Sequence, residues 1–280
     1  MKIVECPRDA MQGIHEFIPT EKKAAYINQL LKVGFDTIDF GSFVSPKAIP
    51  QLKDTANVLK QLDLSKTRSK LLSIVANLRG AEEACRFEQI RYLGFPLSIS
   101  EQFQLRNTNK TVNQALEVVA ETQNLCVMHD KTLVTYISMG FGNPYNEPYN
   151  EEVVAEFIEK LKDLGIEIVS LADTIGAAQP YLIERVFKES IINFPGLEIG
   201  AHFHSTPNSA QEKILAAYNA GCKRFDSALK GYGGCPMAKD DLTGNIATEL
   251  LLDTLPTERL SLDKAAFNQA MEMSADVFPV

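Results

Sequence analysis

No stretch of about 18 consecutive apolar residues occurs in the chain, so no membrane-spanning helix of ordinary length is expected. Basic clusters are equally short. Glu21-Lys22-Lys23 and Lys66-Thr67-Arg68-Ser69-Lys70 are the densest, and 28 Lys and Arg stand against 36 Asp and Glu for a net charge of −8. Nucleic acid is therefore not an expected partner, because phosphate backbones are held mainly by clustered positive charge. The five cysteines, Cys6, Cys85, Cys126, Cys222 and Cys235, form no CxxC pair, which argues against a zinc ribbon or a disulfide framework. Any cysteine chemistry then rests on a single thiol. Met1 to Glu5 leads straight into a strand-like run without a signal-peptide pattern, and the expected location is cytoplasmic, away from membranes. With 45% hydrophobic residues, 16 Gly and 13 Pro, the chain has globular proportions rather than those of a disordered or collagen-like one.

What is present is an alternation. Strand-like runs at Ile3 to Glu5, Thr37 to Phe40, Leu71 to Ala76, Pro96 to Ile99, Thr132 to Ile137, Ile166 to Leu171, Leu197 to Phe203 and Arg224 to Asp226 are separated by segments of helical period. The clearest helical segments are Glu21 to Val33, Gln51 to Leu62, Val112 to Thr122, Glu151 to Leu164, Tyr181 to Phe194 and Asn208 to Ala220. Val33-Gly34-Phe35, Leu164-Gly165-Ile166 and Ala220-Gly221-Cys222 repeat one pattern of helix, capping glycine and strand. Eight strands at about 35 residues each predict a single α/β domain, a (β/α)8 TIM barrel over residues 1–255, with an open doubly wound sheet as the rival. Residues 256–280, with a helical stretch from Asp263 to Met273, are expected to form an extension packed on the barrel or to mediate a homodimer.

A barrel places its chemistry on the loops after the strands. Nearly every residue at those positions is polar or ionisable. His202 and His204 lie two apart on a predicted strand, so their rings share a face and can chelate one divalent ion; a hydrogen-bonded histidine pair is the alternative. Only four histidines occur in the chain, and two are here. With no cysteine adjacent, carboxylate or amide oxygens would complete the site, which suits Mg2+ or Mn2+. Arg8-Asp9 follows the first strand, where Asp9 can bind metal and Arg8 can stabilise an oxyanion, or the two can form a structural ion pair. Gly231-Tyr232-Gly233-Gly234-Cys235-Pro236 carries one thiol on a glycine-rich loop, able to deliver a proton or attack a carbonyl, unless it is an incidental cysteine. Asn245 is either an N-cap or a further ligand.

Pro7-Arg8-Asp9, Ser42-Phe43-Val44-Ser45-Pro46-Lys47, Asp173-Thr174-Ile175-Gly176, His202-x-His204 and Gly233-Gly234-Cys235-Pro236 with Gly244-Asn245 occur in an order that resembles the 3-hydroxy-3-methylglutaryl-CoA lyases. The resemblance spans residues 2 to 255. It implies a divalent metal held by Asp9, His202, His204 and Asn245, with Arg8, Asp9, Asp39 and Cys235 catalytic and Gln12, Ser42, Phe43, Asp173 and Thr174 binding substrate. It also implies cleavage of an acyl-CoA thioester to acetyl-CoA and a keto acid such as acetoacetate. The chain departs from the family pattern after Gln12, where Gly13-Ile14 stands in place of Asn-Glu, at Asp39, where the lyases have Glu, and at Ser205, where an acid is usual. These departures leave room for a related 3-hydroxyacyl-CoA. A Claisen-condensing synthase on the same barrel and a catalytically silent acyl-CoA-binding barrel are the alternatives.

Overall fold

The β-branched and aromatic runs predicted as strands each pair in parallel with the next, and the pairing closes on itself. In the computed structural model, which describes residues 1–234, 243–257 and 260–278, these are β1 (Lys2–Glu5), β2 (Thr37–Ser42), β3 (Lys70–Ile74), β4 (Ile90–Ser98), β5 (Thr132–Ser138), β6 (Ile168–Asp173), β7 (Glu198–Ser205) and β8 (Arg224–Ser227). Neighbours run β6-β5-β4-β3-β2-β1-β8-β7, and β6 also pairs with β7, which makes the predicted (β/α)8 barrel. A ninth strand, β9 (Gly244–Asn245), lies antiparallel to the top of β7, with Asn245 opposite His204.

The helices are α1 (Pro7–Gln12), α2 (Thr20–Val33), α3 (Thr55–Leu59), α4 (Leu78–Cys85), α5 (Glu101–Thr108), α6 (Val112–Met128), α7 (Glu151–Asp163), α8 (Pro180–Asn193), α9 (Pro207–Asn219), α10 (Thr248–Thr254) and α11 (Lys264–Val277). Gly34 ends α2 at φ 86°, the left-handed cap that the repeated glycine pattern predicts. Several boundaries differ from expectation; α6, for one, runs six residues past Thr122 to Met128. The predicted helix from Gln51 to Leu62 is a 3-10 turn, Pro50–Leu52, followed by the short α3. Strand β4 begins six residues earlier than Pro96 because Gly94 and Pro96 interrupt the β pattern without ending the strand. Gly94 faces the barrel interior, where a Cβ would come within 2.5 Å of Ile74 Cδ1 and 3.1 Å of Tyr136 Cε2.

Two apolar cores result. Leu72, Ile74, Tyr92, Val134, Tyr136 and Ile168 fill the barrel lumen, and a larger core lies between the strands and the helices. Helix α11 belongs to the larger core: Phe267 meets Phe35 edge-on, Phe278 meets Tyr26, and Gln29 on α2 donates to the Ala266 carbonyl. No described helix is long and apolar enough to cross a membrane.

One buried acid fastens the start of the barrel to its end. Glu5, on β1, accepts hydrogen bonds from Leu229 N at 2.9 Å and from the Thr248 hydroxyl at 2.6 Å. Burial pushes its carboxyl up to about 8. Thr248 Oγ1 also lies 2.9 Å from Ser227 Oγ, and a hydroxyl has one proton to give. A protonated Glu5 resolves this by donating to Thr248, which then donates to Ser227. Because the folded-state value lies above the ordinary 4.5, this group's stabilising contribution is complete below about pH 4.5 and is lost as pH rises through about 8. Glu5→Gln is expected to remove that loss, so unfolding free energies of the two proteins from urea titration should diverge between pH 5 and pH 9 in favour of the variant, by up to a few kcal/mol at about 1.4 kcal/mol per pKa unit. A constant difference across that range would show that Glu5 does not titrate there.

Candidate active site

Pro7 at the first position of α1 starts a helix directly after β1. One and a half turns then set Arg8, Asp9 and Gln12 at the carboxyl end of the barrel. Asp9 is the hub of this corner. Its Oδ1 accepts from Arg8 Nη1 at 2.8 Å and from Gln12 Nε2 at 2.7 Å, and its Oδ2 accepts from Asn245 Nδ2 at 2.7 Å. Gln12 returns its amide oxygen to Arg8 Nη1 at 2.8 Å. Arg8 also grips Asp39 Oδ2 through Nε at 2.9 Å and Nη2 at 2.6 Å. A guanidinium has five N–H donors, and four are thus committed; one proton on Nη2 has no partner among the described residues.

Across the lumen, β7 presents both imidazoles. His202 Nδ1 lies 3.1 Å from Asp226 Oδ2, and an Nδ1 proton on that contact leaves the Nε2 lone pair of the neutral ring for a ligand; burial works against charge on the ring, yet Asp226 and Asp9 hold its pKa above the ordinary value. The His204 ring meets the Gly244 backbone, and its buried Nδ1 has no hydrogen-bond partner among the described residues. Burial and the neighbouring His202 push His204 down to about 4, so its ring is neutral at physiological pH. One donor atom from each of Asp9, His202 and His204 lies within 4.8 Å of the others. Burial works against charge on Asp9, yet Arg8 and the two imidazoles hold its carboxyl below the ordinary range. An orphaned buried nitrogen, a second nitrogen oriented by a carboxylate and an ionised carboxylate on one face fit a divalent cation.

Asp39 contrasts with Asp9. Burial pushes it up to about 6 in spite of Arg8, and its Oδ1 is buried without a partner among the described residues. Tyr136 stands beneath the site, edge-on to His202 with centroids 5.4 Å apart. The loop after β8 closes in from the other side. Gly233, at φ 86°, lies so near α1 that a Cβ would be 2.6 Å from the Asp9 carbonyl oxygen and 2.7 Å from Ala10 Cα. Only glycine allows that approach.

A family profile described as HMGL-like matches residues 2–277. The chain belongs to the HMGL-like family. It is 36% identical over 251 residues to hydroxymethylglutaryl-CoA lyase YngG of Bacillus subtilis, covering 87% of this chain and 80% of that one. It is 32% identical over 253 residues to the 3-hydroxy-3-isohexenylglutaryl-CoA/hydroxy-methylglutaryl-CoA lyase of Pseudomonas aeruginosa, covering 90% and 83%. Among solved structures, an HMG-CoA lyase from Acinetobacter baumannii in complex with coenzyme A and 3-methylmalate superposes with a TM-score of 0.89 at 32% identity, over 99% of this chain and 91% of that one.

Against this HMGL-like frame, Arg8, Asp9, Gln12, Asp39, His202, His204 and Asn245 converge on one corner of the barrel mouth. Asn245 is not an N-cap, since α10 starts after Ala247. Its amide nitrogen, rather than its oxygen, faces Asp9, because the Tyr232 carbonyl 2.8 Å away also accepts from it. Oxygen ligation by Asn245 requires that amide to turn over. Thr174 stands at the rim, where its hydroxyl oxygen accepts from Met139 N at 2.8 Å.

Three residues expected to contact substrate have partners within the chain. Phe43 stacks on Phe87 with centroids 5.6 Å apart, in the core outside the lumen. Ser42 spends its hydroxyl on the Ile74 carbonyl and the Val44 amide. Asp173 pairs in register with Phe203, which packs among Phe141 and Phe187 on the helix side of the sheet. Its two oxygens are taken by Ala177 N, Ala178 N and Lys213 Nζ. Cys235 lies outside the described residues. Sequence reasoning missed Asp226, although an acid two residues above Arg224 on the last strand, on the lumen face, was a readable signal.

Proposed function

We propose that this chain is a divalent-metal-dependent carbon–carbon lyase that cleaves 3-hydroxy-3-methylglutaryl-CoA to acetyl-CoA and acetoacetate. The observation that carries the reading is the set Asp9, His202 and His204, with donor atoms within 4.8 Å of one another beside an arginine that keeps one N–H uncommitted. The names of the relatives and the coenzyme A complex of the Acinetobacter structure support the substrate class.

Mg2+ or Mn2+ held by Asp9, His202, His204 and Asn245 would lower the pKa of the substrate's tertiary hydroxyl and neutralise its neighbouring carboxylate. The chain's own groups do the rest. Asp39 Oδ1, buried and without a partner, is an acceptor for the hydroxyl proton. As that proton leaves, the C2–C3 bond breaks: C3 becomes the ketone of acetoacetate, and the electron pair passes to C2 and the thioester oxygen as an enolate. The free Nη2–H of Arg8 is the donor for the enolate oxygen, and Asp39 and Asp9 hold the guanidinium rigid so that little reorganisation is needed. Gln12 fixes the Arg8–Asp9 geometry by bonding to both. Cys235, on the glycine-rich loop, then protonates C2 and completes acetyl-CoA.

Cys235→Ser separates proton delivery from metal binding. It is expected to lower kcat for acetyl-CoA release by about 100-fold or more, within the range of general acid–base contributions, with Mn2+ affinity unchanged. Equal turnover by the variant would remove Cys235 from the mechanism.

A further inference from the structure

Arg224 and Asp226 lie two apart on β8 and face the lumen beneath the site. The arginine is sealed, at 1% exposure. Its Nη1 lies 3.3 Å from Glu198 Oε1 and its guanidinium carbon 5.7 Å from the Tyr92 ring centroid, while Nε and Nη2 have no partner. Gly200 makes room for the stem: a Cβ there would be 3.0 Å from Arg224 Cδ and 3.2 Å from Ser170 Oγ. Ser170 Oγ and Asp226 Oδ1 are buried acceptors in the same lumen that also lack a partner among the described residues. The other oxygen of Asp226 holds His202 Nδ1.

We propose that Arg224 is a positioning residue that acts on His202 through Asp226. Unpartnered donors on Arg224 match unpartnered acceptors on Asp226 and Ser170, and buried water of two to four hydrogen bonds joins such groups in protein interiors. Of the carboxylates around Arg224, Asp226 favours its charge most, ahead of Glu198. Joined in this way, Arg224 would hold Asp226 Oδ1, prevent the carboxylate from rotating and keep Oδ2 on His202 Nδ1. That bond aims His202 Nε2 at the cleft shared with Asp9 and His204. Partners of this kind change metal affinity by about 10–100-fold when removed.

The inference rests on the metal reading above, and Mn2+ titration followed by electron paramagnetic resonance, with no substrate present, tests both. The wild type is expected to bind Mn2+, and Asp226→Asn to bind it about 10–100-fold more weakly. Arg224→Met should weaken it by about 10-fold, Arg224→Gln by several-fold as a less disruptive change, and Arg224→Lys should restore most of the affinity. In the Asp226→Asn background, Arg224→Met should add nothing, because the route runs through Asp226. Wild-type affinity in a folded Arg224→Gln or Arg224→Met protein, or a full additional loss in the double variant, overturns the role of Arg224 alone. A wild-type protein that binds no Mn2+ overturns the metal reading and this inference with it.

Discussion

His204→Ala is expected to lower acetyl-CoA release by about 1000-fold or more and to weaken Mn2+ binding by at least about 100-fold. The first figure corresponds to about 4 kcal/mol of transition-state charge stabilisation, within what a bound cation supplies. The metal-free protein should change little in stability. The ring is neutral, its Nδ1 is already unsatisfied, and no ion pair is broken by its removal. What should vanish is the rise in Tm on adding Mn2+, which depends on binding to the folded state alone. An unchanged Mn2+-induced shift with lost turnover would move His204 from metal ligation to a purely chemical role.

Lys213→Met is expected to destabilise the fold by about 3–5 kcal/mol, the cost of leaving a buried charge without its partner. Lys213 and Asp173 each have 2% side-chain exposure, with Nζ 2.6 Å from Oδ2. The same ammonium donates to the carbonyls of Gly176 at 2.8 Å and His204 at 3.2 Å, so its three protons are all used. One cation thus ties the turn after β6 to the backbone of a candidate metal ligand. Burial pushes Asp173 up even with Lys213 beside it, and without the lysine its carboxylate would have only the Ala177 and Ala178 amides. Urea denaturation of Lys213→Met, Asp173→Asn and the double variant checks this: the double should cost clearly less than the two singles added. Strict additivity would mean that the pair is not coupled.

The barrel was legible because alternation of strand and helix survives in the residue pattern, and the shared face of His202 and His204 because i and i+2 on a strand must share one. Direction at strand ends was harder to read. Asp173 and Ala172 differ by one position, and one position exchanges the lumen for the helix layer; Ala172 pairs with His202 and Asp173 with Phe203. In β2 the register shifts between Asp39 and Gly41, an irregularity that no residue type announces. It leaves Asp39 in the lumen and turns Phe43 toward Phe87. Asp226 and Lys213 were unread for a related reason. The lumen position of Asp226 was readable, but its partner lies 24 residues away and that of Lys213 lies 40 away, so the pairings form only once the barrel has closed.

The most direct measurement is turnover of 3-hydroxy-3-methylglutaryl-CoA by the purified, chelator-treated protein, followed as acetyl-CoA and acetoacetate release. A metal-dependent lyase is expected to be silent without added metal, to form both products in equal amounts on addition of Mg2+ or Mn2+, and to fall silent again with excess chelator. No release of either product in the presence of saturating Mg2+ or Mn2+, from this thioester or from longer 3-hydroxyacyl-CoA analogues, would contradict the lyase reading.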